Sequence, residues 1–317
     1  MKYKKFLITG GLGFIGGNFI KIFTRKYPKS KFLNIDKSTY AASARLAREL
    51  KDINNYDYKK VDICNFRKLQ IEFKKFKPDI VVHFAAESHV DNSIKDPKKF
   101  INTNIIGTYN LLRLIDKKTK IVHISTDEVF GEAKKEKFKE DSKYDPRSPY
   151  SATKASSDHL VRAWSSTYNI KYTIVNSSNN FGPYQNKEKF IPVIINSILN
   201  KKKIPLYGDG KNIREWIYVE DFVSAIEFLI KKDILNETFL VGSGYTVKNK
   251  DLIKKISSII NKKFSINIGN NLIKYVKDRP GHDEIYRLNS NKLKKLGWKN
   301  NTKLEEGLFK TIKFYMK

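Results

Sequence analysis

The sequence predicts an α/β protein with a doubly wound parallel sheet and a smaller, interleaved α/β lobe. Short apolar runs rich in β-branched residues alternate with segments of helical periodicity, the pattern of strands joined by crossover helices. A glycine-rich turn follows the first run, and polar side chains follow several later runs. The 317 residues, of which 40% are hydrophobic, can bury a large core.

The first predicted strand, residues 5–9, leads into a turn carrying Gly10, Gly13 and Gly16, and then into a helix over residues 17–23. Glycines at this spacing between a strand and a helix let backbone amides approach a pyrophosphate. An ordinary tight turn is the alternative. The position near the N-terminus favours a dinucleotide site and a Rossmann-type fold.

Acidic residues end the next two predicted strands, residues 31–35 and 58–61. Asp36 lies where a carboxylate binds an adenosine ribose, which favours NAD over NADP. Lys37 follows it and could soften that preference. Asp62 is either an adenine contact or a helix N-cap.

The fourth predicted strand, residues 79–84, ends in small residues from Ala85 onward, which let the backbone lie against a cofactor. His89 in this segment is expected to be structural. A long helix is predicted over residues 100–114.

The run that begins at Ile121 ends in Thr126, Asp127 and Glu128. In parallel α/β sheets, ligand-binding and catalytic residues lie at the carboxyl ends of the strands. Two adjacent carboxyl groups there can take different pKa values and act as one acid and one base.

Tyr150 and Lys154 lie one turn apart on a predicted helix that Pro149 begins. A nearby ammonium group lowers the pKa of a phenol, so Tyr150 is predicted to be a base usable near neutral pH. Such a pair also occurs by chance on surface helices, but here it follows a dinucleotide turn and a Ser-Thr strand end.

The lobes are predicted to interleave: residues 1–180 with about 215–242 form the NAD-binding domain, and about 181–214 with 243–317 form the substrate lobe. Arg214 and Arg279 are candidate clamps for a diphosphate, although a single arginine is usually a surface ion pair.

The formal net charge is +29. Because the lysines are scattered along the chain, we predict solvated surfaces rather than nucleic-acid binding. The single cysteine, Cys64, fits a reducing cytoplasm, no stretch reaches the length of a membrane span, and we predict no metal site.

With these residues assembled, the chain resembles the extended short-chain dehydrogenase/reductases, and among them the dTDP-glucose 4,6-dehydratases, over nearly its whole length. The resemblance rests on the sequences at residues 10–16, 85–91, 125–131, 150–154, 178–185, 207–214 and 278–282. The Thr-Asp-Glu triplet at residues 126–128 discriminates, because related epimerases and decarboxylases share the Tyr and Lys but lack the two acids.

The resemblance implies conversion of dTDP-glucose to dTDP-4-keto-6-deoxyglucose in deoxysugar biosynthesis, for example of rhamnose. Tyr150 takes the 4-hydroxyl proton while the hydride of carbon 4 passes to NAD, and Lys154 holds the nicotinamide ribose. Thr126 bonds near the 4-oxygen. Glu128 removes the proton of carbon 5, Asp127 protonates the departing 6-hydroxyl, and the hydride returns to carbon 6.

The same resemblance implies two sets of contacts. The cofactor contacts are Gly10, Gly13, Phe14, Ile15, Gly16, Asp36, Lys37, Ser38, Thr39, Asp62, Ile63, Phe84, Ala85, Ala86, Ser88, Thr103, Tyr150, Lys154 and Asn180. The sugar-nucleotide contacts are Ser88, Thr126, Asn179, Lys189, Phe190, Pro205, Tyr207, Arg214, Asn249, Arg279 and His282.

Family members are commonly homodimers that pair through the helices holding residues 100–114 and 150–168 here. The segment between Gly131 and Tyr150 is short and highly charged at residues 134–137, which leaves the nucleobase and sugar preference open. The alternatives are a UDP- or CDP-hexose dehydratase, a 4-epimerase, or a non-catalytic NAD-sensing or RNA-binding protein on the same fold.

Overall fold

The computed structural model describes residues 2–133, 136–266, 268 and 272–316. Lys134 and Lys135 of the charged segment lie outside the described residues. The strands are β1 (Lys5–Thr9), β2 (Lys31–Asp36), β3 (Tyr56–Lys60), β4 (Ile80–His83), β5 (Lys120–Thr126), β6 (Lys171–Ser177), β7 (Asn179–Phe181), β8 (Ile204–Tyr207), β9 (Ile213–Tyr218), β10 (Glu237–Val241), β11 (Thr246–Lys248) and β12 (Ile273–Val276).

The α-helices are α1 (Phe14–Lys26), α2 (Ala44–Leu50), α3 (Phe66–Phe76), α4 (Val90–Lys95), α5 (Pro97–Phe100), α6 (Gly107–Leu112), α7 (Pro149–Tyr168), α8 (Phe190–Leu199), α9 (Val219–Lys232), α10 (Asn249–Phe264), α11 (Asn291–Lys295) and α12 (Leu304–Tyr315). A π-helical segment, Ile101–Ile106, joins α5 to α6, and a 3₁₀ turn, Asp127–Phe130, follows β5.

Seven parallel strands form the central sheet in the order β10-β6-β5-β4-β1-β2-β3. Side chains alternate between its two faces: Phe6 and Ile8 pack with α1 and α9, whereas Leu7 packs with α3, α6 and α7. This confirms the predicted doubly wound α/β fold. The strands leave Asp36, Thr126 and Ser177 at the same edge.

A smaller lobe contains a three-stranded sheet in the order β11-β9-β7 and a two-stranded sheet of β12 and β8. Its core is formed by α8, α10 and α12 around Trp216. The predicted lobe boundary near residue 215 falls inside β9, whose two neighbours both belong to the three-stranded sheet. The lobe division stays a proposal, and we propose to place this boundary after Tyr218.

The predicted helix over residues 100–114 is not a regular α-helix, because its first part is the π-helical segment. The widened turn places Asn104 toward the interior, where its amide nitrogen donates to the Glu87 carbonyl at 3.0 Å and to the Thr153 hydroxyl at 2.9 Å. The helix is thereby tied to the loop after β4 and to α7. Within the described ranges, no helix is both long and apolar enough to cross a bilayer.

Candidate active site

The glycine turn places backbone, rather than side chains, at the floor of a cleft. Gly10 has a φ of +73°, and a Cβ there would lie 2.6 Å from the Ala85 nitrogen. A Cβ at Gly16 would lie 2.5 Å from the Gly10 carbonyl oxygen. Gly13 is the N-cap of α1 and provides no side-chain cap. The amides of the first turn of α1 therefore suit an anionic group.

Asp36 lies at the end of β2, as predicted, and faces this turn. Its two carboxylate oxygens accept from the Leu12 amide at 3.0 Å and from the Ser38 amide at 2.7 Å. Burial raises its pKa, whereas the two amides and Lys37 oppose the shift. These contacts hold the carboxylate at the rim of the cleft, where a ribose hydroxyl can donate to it.

Lys37 is occupied by neighbours on three other segments. Its Nζ lies 3.7 Å from Asp62, 3.6 Å from Glu87 and 3.3 Å from the Thr103 hydroxyl. Two carboxylates thus neutralise the charge that could have attracted a 2′-phosphate. Lys37 therefore does not weaken the preference for NAD that Asp36 predicts.

Asp127 and Glu128 follow β5 in the 3₁₀ turn. The Thr126 hydroxyl donates to Asp127 at 3.2 Å and accepts from the Glu128 amide at 3.3 Å. Burial, and next the Glu128 charge, raise the pKa of Asp127 well above its usual value, which favours the protonated form of this carboxyl.

The neighbouring Glu128 has a different environment. Burial raises its pKa as well, but three cationic side chains oppose the shift. These are Arg279, Lys189 and Arg214. The pKa values of both carboxyls are therefore raised, but only Glu128 has several cations that favour its ionised form. Two adjacent carboxyls in such unequal environments can act as one acid and one base.

Tyr150 and Lys154 are buried on the first turns of α7. A capping box between Ser148 and Ser151 begins the helix. The Lys154 Nζ donates to the Ile124 carbonyl at 2.8 Å. Burial lowers the pKa of Lys154 to about 8, and Asp158 opposes the shift.

The prediction that the pKa of Tyr150 is lowered toward neutral pH is wrong for this structure, because the net shift of this pKa is upward. Burial, and next the Glu128 charge, raise the pKa of Tyr150, and the Thr126 hydroxyl is a hydrogen-bonding partner that lowers it. The physical reason is that the phenol is enclosed beside two carboxyls, while Lys154 is directed at a main-chain carbonyl.

Three of the predicted sugar-nucleotide contacts, Lys189, Tyr207 and Arg279, have hydrogen-bond or ion-pair partners within the chain. The Lys189 Nζ donates to the Ser88 carbonyl at 2.7 Å. Arg279 lies 3.5 Å from Asp91, which also accepts from the Tyr207 hydroxyl at 3.0 Å. These side chains are therefore linked across the two lobes.

Arg214 is buried, and its guanidinium lies over the Tyr286 ring at 4.3 Å. It donates to the carbonyls of Ile213, Asp283 and Glu284 at 2.8–3.0 Å. These carbonyls take three of the five N–H donors of the guanidinium, so fewer donors remain for the predicted diphosphate clamp.

A cleft with a volume of about 300 Å³ joins the glycine turn to the acids. Of the predicted residues, those lining it are Gly10, Gly13, Phe14, Ile15, Gly16, Asp36, Lys37, Thr39, Asp62, Ile63, Phe84, Ala85, Ala86, Ser88, Thr103, Thr126, Asp127, Glu128, Tyr150, Lys154, Asn179, Asn180 and Lys189. Those outside the lining are Ser38, Phe190, Pro205, Tyr207, Arg214, Asn249, Arg279 and His282.

Comparison with known proteins agrees with this geometry. The family described as GDP-mannose 4,6 dehydratase matches residues 7–311. The dTDP-glucose 4,6-dehydratase of Haemophilus influenzae is 42% identical over 98% of this chain and 97% of its own length. The chain belongs to the dTDP-glucose 4,6-dehydratase family.

Solved structures of this dehydratase family share the whole fold. The Bacillus anthracis dTDP-glucose 4,6-dehydratase, in complex with NAD, has a TM-score of 0.90 at 36% identity and covers 99% of this chain and 96% of its own. The UDP-glucose 4-epimerase of Thermotoga maritima has a TM-score of 0.88 at 26% identity, with 98% of each chain covered. The fold alone therefore does not separate dehydratases from epimerases.

The cleft also contains residues that the sequence did not predict. They are Ile35, Tyr40, Ala41, Ala42, Val61, Glu87, Ile124, Ser125, Ser177, Ser178, Gln185, Asn186 and Glu188. Glu87 lies inside the 85–91 segment, and the three serines lie at or next to the ends of β5 and β6, so position alone could have indicated them. Nothing in the sequence indicated Tyr40, which reaches the cleft through the loop after β2.

Proposed function

We propose that this chain is an NAD-dependent dTDP-glucose 4,6-dehydratase, which forms dTDP-4-keto-6-deoxyglucose and water. The observation that carries the proposal is the pair Asp127 and Glu128, placed beside Tyr150 in the cleft that begins at the glycine turn. Acid–base elimination requires these two carboxyls, whereas epimerisation at carbon 4 does not.

The cofactor site fits NAD by three observations. The glycine turn exposes amides, the Asp36 carboxylate lies at the rim, and the charge of Lys37 is neutralised. When bound, NAD supplies the reversible hydride chemistry that connects carbon 4 to carbon 6. The residues proposed to hold it are the cleft-lining cofactor contacts named above.

The chain's own residues move the protons. Tyr150 takes the proton of the 4-hydroxyl, with the Thr126 hydroxyl beside it. The resulting ketone acidifies carbon 5, and Glu128 removes that proton. Asp127, whose protonated form is favoured by burial, gives its proton to the 6-hydroxyl, which leaves as water, and Glu128 returns its proton to carbon 5.

The proposed sugar-nucleotide site adjoins these groups. Lys189 and Asn179 line the cleft, and the positive charge of Arg279 opposes the rise that burial causes in the pKa of Glu128. A cationic wall next to the acids suits the diphosphate of the substrate. Because the segment between Gly131 and Tyr150 is short, the nucleobase preference is to be determined by experiment.

A substrate panel tests this proposal. The protein is incubated with dTDP-, UDP- and CDP-glucose, and the alkali-induced ultraviolet absorbance of a 4-keto sugar is measured. We expect the signal with dTDP-glucose. Formation of a galactose nucleotide, without a keto sugar, would instead identify an epimerase.

We also propose a homodimer in the cytoplasm. Large apolar side chains are exposed on the predicted pairing helices, with Ile101 46%, Ile106 43% and Tyr168 56% exposed, and burial of such a face favours association. Cys64 is a free thiol, in keeping with a reducing compartment. Light scattering should give twice the chain mass, and Ile106→Glu should lower it.

A further inference from the structure

Helix α7 carries a third buried ionisable residue in line with Tyr150 and Lys154. Asp158 lies one turn beyond Lys154, so the three side chains share one face of the helix. Its side chain is fully buried, although it takes no part in the proton transfers described above. A buried carboxylate is costly unless partners compensate its charge, so its presence requires a physical explanation.

The surroundings of Asp158 are built for a negative charge. One carboxylate oxygen accepts hydrogen bonds from the Ser125 hydroxyl at 2.8 Å, the Tyr144 hydroxyl at 2.8 Å and the Asn176 amide at 3.2 Å. The other oxygen lies 3.1 Å from the His123 Nε2. Three donors on a single oxygen favour the ionised form strongly.

Asp158 and its neighbour His123 differ in charge, and Lys154 is the cation near them. Burial lowers the pKa of His123 to about 4, so this imidazole is neutral at neutral pH. Burial would raise the pKa of Asp158, but His123 and Lys154 outweigh it and lower that pKa. For Lys154 itself, Asp158 is the charged group that offsets burial. The other titratable and charged groups facing the pair are His83 on β4, Tyr144 before α7, and Tyr150 and Arg162 on α7.

We propose that Asp158 is a positioning residue, the buried counter-ion on the same face of α7 whose charge keeps Lys154 protonated at the active edge of β5. It acts through Lys154 and touches neither cofactor nor substrate. The Lys154 ammonium, which also donates to the Ile124 carbonyl, thereby stays available beside Tyr150. The inference rests on the proposed dehydratase function.

The test is the pH profile of the oxidation step for Asp158→Asn, which keeps the shape and loses the charge. The oxidation of dTDP-glucose is measured in the pre-steady state from about pH 6 to about pH 10. This isolates the first step, so the titration of Asp127, which acts in the later elimination, does not affect the profile. We expect the alkaline limb to move down by about one pH unit or more. Because the pKa of Lys154 is about 8 in the wild-type protein, the rate should fall about fivefold or more at pH 8 and recover toward pH 6, with KM within about twofold.

Two further variants separate charge from structure. Tyr144→Phe removes one hydrogen bond to Asp158 and leaves both charges, so its alkaline limb should stay near the wild-type position. Asp221→Asn alters a buried carboxylate that caps the Asn301 and Thr302 amides in another part of the fold. It should lower the melting temperature and leave the pH profile unchanged.

A uniform loss of rate at every pH, with the limb unmoved, would make Asp158 merely structural and overturn the proposal. An unchanged rate would overturn it as well. If Asp158→Asn does not fold, Asp158→Ser, which keeps a hydroxyl among the same donors, should show the same shift. Failure of the wild-type protein to oxidise dTDP-glucose would instead refute the proposed function.

Discussion

Replacing Gly10 by alanine tests the close approach on which the cofactor cleft depends. The φ of +73° costs a residue with a Cβ about 1–2 kcal/mol. The new methyl group would also lie 2.6 Å from the Ala85 nitrogen and 2.7 Å from its Cα, inside ordinary contact distance. Overpacking of this kind costs about 1–3 kcal/mol. We therefore expect Gly10→Ala to lower the free energy of unfolding by about 3 kcal/mol.

Two other glycines separate the cost of the positive φ from the cost of the steric overlap. Gly244 has a φ of +87°, and within the described chain a Cβ there would meet no atom within 4 Å. Gly244→Ala should therefore cost only about 1 kcal/mol, from the backbone alone. At Gly16 a Cβ would overlap the Gly10 carbonyl oxygen at 2.5 Å without a positive φ, so Gly16→Ala should cost about 2 kcal/mol.

Urea unfolding of the three variants measures these differences, and NAD titration measures their effect on the cleft. Gly10→Ala should weaken NAD binding by about tenfold or more, because the added methyl group displaces the backbone that contacts the cofactor. A loss of about 1.4 kcal/mol in binding free energy is enough for a tenfold change. Gly244→Ala should bind NAD normally. If Gly10→Ala were no less stable than Gly244→Ala, the contact between the glycine turn and the loop after β4 would be refuted.

Three further outcomes are expected. Glu128→Gln should abolish exchange of the carbon 5 proton with deuterated solvent while oxidation at carbon 4 continues, and normal exchange in that variant would remove Glu128 from the role of base. Tyr150→Phe should slow oxidation by about 100-fold or more, and a mild effect would count against Tyr150 as the base. The pKa of His123 is about 4 in the fold against 6.5 for the free side chain, so the unfolded chain binds the proton first as the pH falls. The contribution of neutral His123 to stability should therefore be full above pH 6.5 and fall by about 3 kcal/mol down to pH 4. Urea unfolding at each pH measures the decline, and His123→Gln should make it shallower by about that amount, while His83 and His282, whose pKa values are also lowered, keep their own share.

Much of the fold was predictable because its signals are local. The strand at residues 5–9, the glycine turn and Asp36 are close together in the chain, and their spacing reports backbone geometry directly. The structure shows β1, α1 and β2 in these places, with α1 beginning earlier, at Phe14. The π-helical segment was missed, because it has the same apolar residues as an α-helix and differs in the hydrogen bonds of a few residues.

The site was predictable in its members and less so in its electrostatics. Thr126, Asp127, Glu128, Tyr150 and Lys154 all line one cleft, since parallel strands bring their carboxyl ends together. The direction of the Tyr150 pKa shift was not predictable, because it depends on burial and on the Glu128 charge. The helical spacing between Tyr150 and Lys154 says nothing about the burial of the phenol or about its distance from Glu128.

By itself, the sequence determined the parallel sheet, the dinucleotide turn and the two acids that distinguish elimination from epimerisation. These follow from residue type and from spacing along the chain. Only the tertiary structure decided that carboxylates neutralise Lys37, that main-chain carbonyls occupy Arg214 and that Asp158 faces the interior beside Lys154. Burial and charge act through space, so they depend on distances between residues far apart in the sequence.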